Sequence, residues 1–224
     1  MSTTLPNELW RCLWNAVEKE LSAGPGCHDF EHTKRVIRNA EEISRSERPE
    51  SPDAVRIGAL LHDIARPEEL ASGGKLCHAQ LGGAKAERIL RECGCRDEAL
   101  LHLVPEIVRS HRFRGDTAPV SPEAKIVYDA DKLDSLGAFG VARAFYFAGR
   151  IGARLHNTEE EALRSPSYSE QDSAYREYLV KLRILPDRML TETGRLLARS
   201  RAEYMKDFFD RLNEEAFADL PAEI

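Results

Sequence analysis

From Val55 to Ala65 the chain is apolar apart from Arg56 and the adjacent pair His62-Asp63. A stretch apolar on nearly every side fits a helix that other helices bury, not one lying on a surface. An ionised carboxylate in that setting is costly unless a partner or a cation neutralises it. His62 falls on the face of Val55, Gly58 and Ala59, at spacings of seven, four and three residues, and so points inward. The run constrains fold and chemistry together: helices must surround it, and something must meet the pair.

The rest of the chain supplies those helices. The spacing predicts a first helix over Pro6 to Leu21, a break at "GPGCHD" and a second helix over Asp29 to Glu47, with Asp29 a candidate cap. Ser51-Pro52 is a helix start, a capping serine with proline in the first turn, and Pro67 is expected to help end that helix. Further helices are expected at His78 to Glu92 and at Asp97 to His111, the latter kinked or split at Pro105. Ser121-Pro122 repeats the start signal before "EAKIVYDADKLDSLGAFGVARAFYFAGR", where Gly137 and Gly140 suggest close helix packing. Residues 157–173 are polar and aperiodic, a surface loop that could close over a pocket. Helices over Tyr175 to Leu185 and Asp187 to Leu212 complete the pattern, the last with an apolar stripe through Leu190, Leu197, Tyr204, Met205, Phe208, Phe209 and Leu212. No alternating strand pattern or internal repeat is present. The expectation is an all-α fold in a single domain over 1–224, its core at about 25–150, with additional C-terminal helices at about 174–218.

The formal net charge of -6 argues against a broad basic surface for duplex nucleic acid. No apolar run is long enough to span a membrane, and no export signal is seen, so the expected location is the cytoplasm. The cysteines, at 12, 27, 77, 93 and 95, are read as reduced thiols. "ASGGK" does not match the phosphate-binding loop pattern.

Other inward positions carry metal-ligating groups. His28 stands at the start of the second helix, four residues before His32, and Asp131 follows Val127 by four and Ile126 by five. His111 follows Val108 and Val104 on one face. Imidazoles and carboxylates converging in a helical core suit a divalent cation: Mn, Fe, Co, Ni or Zn for imidazole, with Mg tolerated by carboxylate.

His28, His62-Asp63 and Asp131, in that order, resemble the H…HD…D signature of the HD-domain metal-dependent phosphohydrolases. "HDFEHTKRV", "ALLHDI", "YDADKLDSLGAFGVAR" and the C-terminal "KLRILPDRMLTETGRLLARSRAEYMKDFF" resemble one bacterial single-domain branch that includes nucleoside-triphosphate pyrophosphatases. The resemblance implies an HD-domain helical bundle with one divalent metal held by His28, His62, Asp63 and Asp131, activating water for attack at phosphorus. It further implies that Asp63 also orients the water, that Lys132 reaches a phosphate and that Asp134 holds a ligand in place or lines the substrate site. His32 also lines the site or packs the helix.

His78 and His111 stay open between three roles: lining the pocket to contact phosphate or move a proton, holding a second metal as in dinuclear relatives, or packing. Arg66 stands where some HD nucleotidases carry a catalytic glutamate, which weakens the nucleoside monophosphatase alternative; an arginine there could grip phosphate. The leading expectation is hydrolysis of a nucleotide or related phosphate ester, (d)NTP to (d)NMP plus pyrophosphate. The alternatives from other classes are a di-iron oxygenase and a non-catalytic nucleotide sensor. A homodimer is left open.

Overall fold

The computed structural model describes residues 5–22, 29–112 and 117–217, and its regular elements there are helical. Internal packing divides the chain into two compact units, one of residues up to Asp134 with Leu190–Gly194, the other of Ser135–Met189 with the chain from Arg195 on.

The first unit is built around the apolar run. Its helices are α1 (Asn7–Leu21), α2 (Phe30–Glu47), α3 (Pro52–Leu61), α4 (Arg66–Ala71), α5 (His78–Glu92), α6 (Glu98–Ser110) and α7 (Pro122–Leu133). Helix α3 packs against α2, α6 and α7, and Ala54, Ile57, Ala59, Leu60 and Leu61 are wholly buried. Gly58 lets α6 approach: a Cβ there would meet Ile107 Cγ2 at 2.6 Å. The caps fall where the sequence places them. Asp29 accepts from the His32 N–H, Ser51 from that of Ala54 and Ser121 from that of Ala124.

Two expectations change here. Helix α3 stops at Leu61, so His62-Asp63 lies in the turn to α4, and Pro67 sits in the first turn of α4 instead of ending α3. Helix α6 runs unbroken past Pro105.

The acidic segment at the end of α7 divides its labour. Asp129 is wholly buried and accepts from the N–H groups of Leu190 and Thr191 and from the Thr191 hydroxyl. It thereby holds the segment that opens α11 (Glu192–Phe217), and Glu47 accepts from the Thr193 N–H beside it. A Cβ at Gly194 would lie 2.3 Å from Asp129 Oδ2, so that position needs glycine.

Cys12 on α1 and Cys93 at the end of α5 form a disulfide, which corrects the reading of these two as thiols; Cys77 and Cys95 are free. Residues 81 apart give the pair no signature in sequence. In the chain-entropy account, closing so long a loop stabilises the fold by about 4.5 kcal/mol. Guanidinium unfolding with and without reductant should show a loss of that size, matched by a Cys12→Ser variant that no longer responds to reductant.

The second unit contains α8 (Gly137–Arg150), α9 (Glu159–Arg164), α10 (Ala174–Val180), a 3₁₀ helix (Leu182–Arg188) and α11 from Arg195. The stretch that the Ser121-Pro122 start signal opens forms two helices, α7 and α8. Gly137 has φ +69°, and a Cβ at Gly140 would lie 2.3 Å from the Ser135 carbonyl oxygen, so glycine serves a tight turn there. Residues 157–173 are not wholly loop: Thr158 and Glu161 form a capping box that starts α9. Within the apolar stripe of α11, Met205 and Phe209 are fully buried, and Tyr204 is exposed. Among the described residues no helix is long and apolar enough to cross a membrane.

Candidate metal centre

Helix ends of the first unit bring the polar residues together. His32 lies in the first turn of α2, His62 and Asp63 in the turn after α3, and His78 at the first position of α5. His111 follows the last residue of α6, and Asp131, Lys132 and Asp134 close α7. His32, His62, Asp63, His78 and His111 are all essentially inaccessible to solvent.

Asp63 is the hinge of the arrangement. Its Oδ2 lies 3.7 Å from His62 Nε2 and 3.8 Å from His32 Nε2. Its Oδ1 lies 3.3 Å from His78 Nε2 and 3.5 Å from His111 Nε2. Two donor groups, His32–His62–Asp63 and Asp63–His78–His111, therefore share one carboxylate. Asp131 joins the first, with Oδ1 3.4 Å from His32 Nε2 and 4.0 Å from His62 Nε2.

The outer ring nitrogens fix the tautomers. Nδ1 of His62 donates to the Ala59 carbonyl at 2.8 Å, and Nδ1 of His111 to the Val108 carbonyl at 2.7 Å. Nδ1 of His32 donates to Asp134 Oδ2 at 2.7 Å, and Nδ1 of His78 to Glu69 Oε2 at 2.9 Å. An acceptor-only partner puts the proton on Nδ1, so a neutral ring presents a bare Nε2. Those Nε2 atoms face each other in pairs, 3.2 Å apart for His32–His62 and 3.1 Å for His78–His111. Facing lone pairs repel, and a cation between them turns repulsion into ligation. This donor set fits a divalent metal.

The electrostatics agree. Burial lowers His62 and His78 to about 4, which keeps both rings neutral at physiological pH. Burial works to raise Asp131, but the Lys132 ammonium beside it holds it well below the carboxylate range. Arg35 donates to both oxygens of Asp134, which clamps the carboxylate that orients His32.

Of the sequence candidates, His32, His62, Asp63, His78, His111 and Asp131 meet in this cluster. His28 lies outside the described residues. Lys132 is turned inward, donating to the His111 carbonyl at 2.6 Å and to Asp131 Oδ2 at 2.7 Å. Asp134 faces His32 and Arg35. Arg66 spans Asp63 and Glu69, its Nη2 3.2 Å from Asp63 Oδ1 and its Nη1 2.6 Å from Glu69 Oε2. Sequence reasoning missed Glu69 altogether and did not give Arg35 its part. Arg35 carried one faint signal, its place one turn after His32 on the same face.

The HD domain family model matches residues 29–136, a span holding every residue of the cluster. YpgQ of Bacillus subtilis strain 168 is 33% identical over 198 residues, covering 84% of each chain. The chain belongs to the HD-domain family. The crystal structure of YpgQ in complex with ADP superposes on this HD domain protein with a TM-score of 0.70 at 29% identity, covering 96% of this chain and 97% of that one. An HD-superfamily hydrolase from Bacillus thuringiensis gives 0.69 at 27% identity, covering 95% of this chain and 98% of that one. The all-α HD fold and the assignment to the HD hydrolases both stand.

Proposed function

We propose that the protein is a divalent-metal-dependent phosphohydrolase that cleaves nucleoside triphosphates to monophosphate and pyrophosphate. The observation that carries this reading is the set of bare Nε2 atoms and carboxylates around Asp63. His32, His62, Asp63 and Asp131 would hold a cation such as Mn, Co, Ni, Fe, Zn or Mg. Bound there, it would supply Lewis acidity toward a phosphoryl oxygen and a lowered pKa for water. Arg66 is the phosphate-facing cation of choice, since it already sits against the carboxylates and a guanidinium binds phosphate in bidentate fashion. Lys132 neutralises Asp131 and holds it ionised. The ADP bound to YpgQ supports a nucleotide as the ligand class.

A second donor group on the other oxygen of Asp63 favours two cations over the one that the sequence suggests. The test is product analysis by ion-exchange chromatography. Purified protein meets nucleoside mono-, di- and triphosphates with Mn²⁺, Co²⁺ or Mg²⁺, and elemental analysis counts the metal. Monophosphate and pyrophosphate from triphosphates is the expected result. No hydrolysis of any nucleotide with any of these cations overturns the reading.

A further inference from the structure

Two of the inward imidazoles are oriented by carbonyls three residues back in their own chain segment, and two by carboxylates from elsewhere. The carboxylate on His78 is Glu69, on the short helix α4, in a stretch that no motif covers. Its side chain is 10% exposed, and its Oε2 takes both the His78 Nδ1 proton and the Arg66 guanidinium. Arg112 approaches the other oxygen at 3.7 Å and is itself steadied by donating to Cys77 Sγ.

We infer that Glu69 is a positioning residue for the His78–His111 half of the site, and this rests on the metal-dependent reading above. Glu69 acts in two ways. It holds the His78 proton on Nδ1, leaving Nε2 bare beside Asp63 Oδ1. It also draws Arg66 outward. Arg66 already touches Asp63, with Nε 3.4 Å from Oδ2 and Nη2 3.2 Å from Oδ1. Without Glu69 that guanidinium has Asp63 as its remaining close acid, and it would occupy the oxygen that faces His78 and His111. A carboxylate behind a ligating histidine typically changes metal affinity by about 10–100-fold.

The experiment compares wild type, Glu69→Gln and Glu69→Ala, each confirmed folded by circular dichroism. Calorimetric titration of the metal-free proteins with Mn²⁺ should show affinity falling about 10–100-fold in Glu69→Ala. Glu69→Gln, which keeps an oxygen for Nδ1, should recover part of the loss. In the metal-free state, long-range ¹H–¹⁵N spectra should show His78 as the Nδ1–H tautomer in wild type and a mixture in Glu69→Ala. Turnover of the nucleotide should drop through kcat, with KM within about threefold. Unchanged Mn²⁺ affinity and an unchanged His78 tautomer in folded Glu69→Ala overturn the inference. If wild type itself binds no Mn²⁺, the functional reading falls, and the tautomer spectra alone decide the place of Glu69.

Discussion

Asp63→Ala should abolish cation binding and nucleotide hydrolysis together. Asp63 is the residue common to both donor groups, so its loss strips a ligand from each. Turnover should fall by about four orders of magnitude or more, the scale seen when one member of an interdependent catalytic set is removed. Asp63→Asn, which keeps the shape and drops the charge, should lose nearly as much. The same variants separate a metal site from a merely self-satisfied polar core. Ligand binding raises stability by RT ln(1 + [L]/Kd), about 2.7 kcal/mol at a hundredfold excess over Kd. Wild type should therefore melt higher in Mn²⁺ than in chelator, and Asp63→Ala should melt at the same temperature in both. A variant that still gains stability from Mn²⁺ would place the binding elsewhere.

The sequence shows most of the scaffold because local chemistry decided it. Ser51, Ser121 and Asp29 announce helix starts through side-chain oxygens, and the apolar run of α3 can only be a core helix. Pro67 was misleading because proline is at home both after one helix and in the first turn of the next. The Thr158–Glu161 capping box is present in the sequence, but the polar composition around it masks it. The site divides the same way. His62-Asp63 and Asp131 are legible from their spacing to apolar residues, whereas His28 and His32 stand only four apart in sequence, and it is the fold that brings His32 Nδ1 onto Asp134. Glu69 reaches His78 across a loop, and Cys12 reaches Cys93 from 81 residues away. Contacts of that kind leave no periodicity to read.

Acid should unfold the metal-free protein earlier than its carboxylates alone would dictate. Burial sets His62 and His78 at about 4 in the folded chain, against 6.5 when exposed. Between those values the unfolded chain binds protons that the folded chain refuses, so stability is full above about pH 6.5 and drains away as pH falls toward 4. Each ring costs about 2 kcal/mol by pH 5 and about 3 kcal/mol by pH 4. Asp131, held low by Lys132, adds a further loss below about pH 4, since its stabilising charge is then protonated. Asp129 runs the other way: burial raises it, so its protonation in acid relieves a cost. Urea midpoints from pH 7.5 to 4.5 should therefore fall steeply from about pH 6, and His78→Gln should flatten part of that slope. A midpoint independent of pH across this window would sink the argument. The same burial that makes the core acid-sensitive keeps the inward Nε2 atoms bare, so protons and metal compete for one set of lone pairs. Saturating Mn²⁺ should accordingly move the whole acid transition to lower pH, and it should leave the transition of Asp63→Ala where it was.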